Sequence, residues 1–158
     1  VARTYLGLRE YRGRSHNKTI LKWWKMIKLS WIKDDETAWC AAAVGGILEE
    51  CGIRSSRSAA ARSYDSWGRE LSRPAVGSIV AFWRGSKAGW KGHVAFVVGI
   101  NKDGNIVCAG GNQGDAFNIK PFSPNRVLSY RWPANTTERP SYNLPLVDSS
   151  GALSQDEA

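Results

Sequence analysis

The feature that most restricts the fold of this 158-residue chain is a single change of hydrophobic period near Pro74. Upstream, apolar residues recur at helical spacing. Between 19 and 31, Ile20, Trp23, Trp24, Ile27 and Trp31 share one face and Lys22, Lys25 and Lys28 lie off it, the pattern of an amphipathic helix. Asp35 and Thr37 then offer side-chain oxygens to the free N–H groups of a first helical turn. The helix they open is expected to run through Cys40, Ala41, Val44, Ile47, Leu48 and Cys51 and to stop at Gly52. Residues 3–12 suggest a short helix or turn, and 58–67 a weaker helix. Downstream, the stretches 77–84, 93–101, 105–109, 117–120 and 127–132 are rich in Val, Ile, Phe, Tyr and Trp and read as strands. Helices first and an antiparallel sheet afterwards predict an α+β domain over 1–133. Pro, Ser, Asn and Asp accumulate beyond it, so 134–158 is expected to be an extended or partly disordered tail.

A formal net charge of +8 favours polyanionic partners: nucleic acid, anionic lipid or an acidic cell-wall polymer. Nucleic acid is not expected, because no zinc-finger spacing, ribonucleoprotein aromatic signature or heptad array accompanies the charge. Three cysteines without C-x-x-C spacing argue against a disulfide framework and a structural zinc site, and no cofactor is expected. No apolar run reaches the length of a membrane span, so stable membrane insertion is not expected, and a monomer is. The opening Val1-Ala2-Arg3 carries no apolar leader.

The chemistry concentrates at Cys40 and His93. Cys40 falls in the first turn of its expected helix, where free N–H groups and the helix dipole favour a thiolate. Cys51, at the helix end, and Cys108, in an apolar strand, read as packing residues. Of the two histidines, His16 sits in a basic loop, whereas His93 follows Gly92 and opens the strand Val94-Ala95-Phe96-Val97-Val98. A thiol and an imidazole so placed form a nucleophile–base pair. A two-residue turn at Asp103-Gly104 pairs Lys102 with Asn105 and, continued, puts Gly114 opposite His93. Asn112 is then the diagonal neighbour on the same face, able to accept the Nδ1–H bond and orient the ring. A bulged turn would flip that register and favour Gln113; Asp115 is the other alternative. The backbone N–H of Cys40 is the candidate oxyanion donor.

Four motifs, Asp35-Glu36-Thr37-Ala38-Trp39-Cys40-Ala41-Ala42, Gly77-Ser78-Ile79-Val80-Ala81-Phe82-Trp83, Gly92-His93-Val94-Ala95-Phe96 and Gly110-Gly111-Asn112-Gln113-Gly114-Asp115, stand in an order that resembles the papain-like NlpC and CHAP cell-wall hydrolases. The likeness is greatest to a phage- and prophage-associated, endolysin-like branch. The resemblance implies a papain-like fold, cleavage of a peptidoglycan amide, Cys40 as nucleophile and His93 as base. It also implies action on the wall from the host cytoplasm at lysis. Ala38 stands where relatives often have Pro, and Gly110 where CHAP enzymes often have an acidic residue. A delivered amidase toxin and a non-catalytic, basic wall- or nucleic-acid-binding module are the other readings of the same residues.

Overall fold

The computed structural model describes residues 1–10, 17–32 and 38–148. His16, Asp35 and Thr37 lie outside them, so the loop assigned to the first and the capping assigned to the others are not described.

Asn17 caps the first helix, α1 (Lys18–Met26), its side chain accepting from the N–H of Thr19 at 2.9 Å. The helix buries Ile20, Trp23 and Trp24 but stops well short of the expected residue 31. Lys28 takes a left-handed φ of 69°. The N–H of Lys28 bonds to the carbonyl of Lys25, and that of Leu29 to Trp24. This is the double bond pattern of a helix stop normally built on glycine. Trp31, assigned to the buried face, is 74% exposed beyond that stop.

Helix α2 (Cys40–Glu50) begins at Cys40 itself, with Trp39 as its N-cap. It ends as expected at Gly52, whose N–H bonds to Glu49 while that of Ile53 bonds to Leu48. Nine of its residues are buried, including two glycines that admit α1 and its neighbours. A Cβ on Gly46 would fall inside the Trp23 side chain, and one on Gly45 would lie 2.6 Å from Ile27. The weaker helix is a 3₁₀ segment, Ala61–Ser66.

Six strands follow: β1 (Arg69–Leu71), β2 (Ile79–Trp83), β3 (Gly92–Ile100), β4 (Ile106–Gly110), β5 (Asn118–Phe122) and β6 (Val127–Trp132). They form one antiparallel sheet in the order β1-β6-β2-β3-β4-β5. The helices above and the sheet below make an α+β architecture consistent with a CHAP-type papain-like fold. β1 has no counterpart among the strands expected from sequence; three residues are too few to show a period of two.

The two faces of the sheet carry separate cores. On one, Val94 and Ile79 pack with Cys40, Val44 and Leu48 of α2, and Ala109 packs with Trp23, Trp39 and Ala43. On the other, Val80, Phe82, Ala95, Val97, Cys108 and Phe122 pack together. Phe82 and Phe122 stand on β2 and β5, strands separated by two others, yet their rings are stacked 4.8 Å apart. The sheet is therefore strongly curled around this second core. From residue 133 to 148 the chain has no helix or strand, but it is tied to the sheet: Ile100 N–H bonds to Pro145 at 3.0 Å and Val147 N–H to Ile100 at 2.8 Å.

Candidate active site

Cys40 occupies the first position of α2 and is 4% exposed. Burial pushes its thiol above the ordinary range; the N–H groups of Val94, Ala41 and Cys40 itself, and the positive charge of Arg84, act the other way without prevailing. The thiolate-favouring helix terminus anticipated from sequence is thus present, but desolvation outweighs it, and the resting thiol is neutral. The sulfur meets β3 at Val94, the residue immediately after His93.

His93 is fully buried. It pairs with Phe82 across β2 and β3, and directly opposite residues share a face. Its ring accordingly lies in the second core, stacked 5.4 Å from Phe122 and 6.2 Å from Phe82. Burial, with the charges of Arg126 and Arg84, lowers its pKa to about 4, against a raising contribution from Gln113. The ring is neutral at pH 7. Cys40 and His93 therefore reach one point of β3 from its two faces. They are not hydrogen-bonded: Nε2 is engaged by Gln113 at 3.0 Å and Nδ1 has no partner.

The structure corrects the hairpin register. Ile100 pairs with Ile106, one residue short of the two-residue-turn alignment, and Phe96 pairs with Ala109, two short, after an irregularity between Val97 and Gly99. The cause at the turn is Asn101, whose side chain accepts from the N–H groups of Asp103 and Asn105, each at 3.0 Å, and so encloses a longer loop. The pairing of β3 with β4 stops at Phe96 and Ala109, and Asn112 adopts a left-handed φ of 60°. The hydrogen bond to the ring that the sequence reading gave to Asn112 through Nδ1 is instead made by Gln113 through Nε2. Asn112 is buried with its Nδ2 unpartnered.

Gln113 is itself fixed. Its Nε2 donates to the carbonyl of Asn118 at 3.0 Å and to Asn118 Oδ1 at 2.9 Å, and Asn118 Nδ2 donates back to the Gln113 carbonyl at 2.7 Å. An amide whose nitrogen is spent on acceptors must offer its oxygen to the ring. His93 Nε2 therefore carries the proton, and Nδ1 keeps a free lone pair. Asn118 was missed from sequence, since it lies in a short expected strand with no motif of its own. Gly111 completes the site: a Cβ there would strike the Trp39 indole and lie 2.9 Å from Ala43, so glycine lets this loop close onto the start of α2.

Cys51, expected to pack, is exposed; Cys108 is buried as expected. Among the described residues no group of His, Cys, Asp and Glu could hold a metal ion, and no helix is long and apolar enough to cross a membrane. No curated protein and no solved structure matches the chain significantly. The CHAP domain family matches residues 32–112, a span that begins just before α2 and contains Cys40, His93 and Asn112. By that match, the chain belongs to the CHAP family, whose domain implies a hydrolase acting on peptidoglycan.

Proposed function

We propose that this protein is a cysteine endopeptidase or amidase that cleaves an amide of bacterial peptidoglycan, and that it serves as a phage or prophage endolysin. The observation that carries the reading is the match of residues 32–112 to the CHAP family, a span that holds a thiol at the head of α2 and an imidazole at the start of β3. A helix-terminal thiol abuts Val94, and the adjoining His93 has its Nε2 proton held by Gln113 and its Nδ1 lone pair unspent. Catalysis requires the His93 side chain to leave Phe82 and Phe122 and turn to the face of β3 that carries Cys40, so that Nδ1 comes within reach of Sγ. Nδ1 then takes the Sγ proton, and the sulfur adds to the amide carbonyl carbon. The N–H groups at the head of α2 receive the developing oxyanion. The C–N bond breaks, the ring proton passes to the departing amine, and a thioester remains. Water, deprotonated by Nδ1, releases the acid and restores the thiol.

The +8 charge supports retention on an anionic wall, and the likeness of the four motifs to a phage-associated branch supports the endolysin role. Cys40→Ala should abolish release of soluble fragments from purified sacculi, by at least about a thousandfold, with an unchanged circular dichroism spectrum. Retained turnover in a folded variant would end this reading.

A further inference from the structure

We propose that the loop joining β2 to β3 is a carbohydrate-binding lip, in which Trp90 is the platform that stacks on a sugar ring of the glycan strand. The proposal rests on the peptidoglycan reading for its polymer and goes beyond it in naming the contact.

Trp90 is 80% exposed at the end of a polar loop, three residues before His93. Lys91 Nζ stands 5.7 Å from its ring centroid. An exposed indole on a floppy loop would have little to offer a ligand, because ordering it on binding cancels much of the contact. This loop is already ordered. Arg62, in the 3₁₀ segment, donates from Nε to the Lys91 carbonyl at 2.7 Å, from Nη1 to Lys87 at 2.8 Å and from Nη2 to Ser86 at 2.6 Å. Within the loop, Gly89 N–H bonds to Ser86 at 3.1 Å and Arg84 N–H to Lys91 at 3.1 Å. Gly92 permits the clamp, since a Cβ there would come within 2.9 Å of the Arg62 side chain and 2.6 Å of the Phe82 carbonyl.

The ligand chemistry follows from what the loop leaves available. Three of its carbonyls are occupied by Arg62, so it makes a poor edge for an extended peptide to pair with. It presents a wide aromatic face with Lys91 beside it, and Lys87 is exposed in the same loop. A flat indole matches the C–H face of a pyranose, and the lysines suit carboxylates carried on the sugar's substituents.

The test uses the full chain with Cys40→Ala, so that binding is read without turnover. Co-sedimentation with purified sacculi should weaken about tenfold on adding Trp90→Ala and change little on adding Trp90→Tyr. Soluble glycan strands freed of peptide should compete, and free stem peptides should not. Unchanged binding by the Trp90→Ala protein, or competition by stem peptide alone, overturns the proposal. Parallel digestion by the protein with Cys40 intact separates the two readings. Absence of turnover beside Trp90-dependent binding removes the hydrolase and keeps the lip; turnover beside Trp90-independent binding does the reverse.

Discussion

The side-chain amide of Gln113 decides which nitrogen of His93 holds a proton. Its own nitrogen is committed to Asn118, so the ring is left with Nδ1 as the basic atom. Burial sets the strength of that base, bringing its pKa to about 4 from an ordinary 6.5. The consequence for stability has a definite sign. An unfolded ring takes a proton below about pH 6.5, the buried one only below about 4. Between those values the unfolded chain binds more protons, so this residue's contribution is complete above 6.5 and is lost as the pH falls through 4. Linkage puts the whole loss at about 3 kcal/mol. Urea unfolding from pH 7.5 to 4 should show this slope in the wild type and lose it in His93→Gln. An equal slope in both proteins would mean that His93 is not buried as described. The identities of the thiol and the ring were legible in the motifs around them. The partner of the ring was not, because it depends on where β4 leaves β3, and that depends on a side-chain cap at Asn101.

Helix α1 shows the same division at the scale of one element. Its start and its buried face follow from Asn17 and from the spacing of Ile20, Trp23 and Trp24. Its end does not. The sequence has no glycine or proline at 27–29 to mark a stop, and the apolar spacing continues to Trp31. The chain turns there because Leu29 and Ile32 are needed against the core, and Lys28 bears the left-handed conformation that results. Lys28→Gly relieves that conformation while losing little contact, and should raise unfolding free energy by about 0.5–1 kcal/mol. Chemical denaturation is the measurement; a loss of stability would show that the Lys28 side chain contributes more than its backbone costs. Helix α2 makes the converse point. Two interior glycines lower helix propensity, yet without them Trp23 and Ile27 could not approach.

In the molecule as a whole, the segment after β6 is more than an appendage. Trp132 Nε1 donates to the Glu138 carbonyl at 3.0 Å, Val76 N–H to Ser141 at 2.9 Å, and Arg73 lies 4.4 Å over the ring of Tyr142. Leu144 packs against the second core, the one that holds His93, and Ile100 exchanges backbone bonds with Pro145 and Val147. Ending the chain after Pro133 exposes that apolar contact and removes the backbone bonds of Ile100 to Pro145 and Val147, and should cost about 2–4 kcal/mol. An unchanged urea midpoint for the truncated chain would place the domain's end where composition put it. Pro, Asn and Ser prevent regular structure in this segment without preventing its attachment to the sheet. The sequence by itself determined the class of fold, the helix that carries the thiol and the strand that carries the ring, since each rests on local hydrophobic periodicity and on local stop signals such as Gly52. Tertiary structure alone decided that the thiol rests neutral, that Gln113 holds the ring, and that ring and thiol meet β3 from opposite faces. Those outcomes depend on desolvation and on pairing register, which arise only when distant segments exclude water from one another.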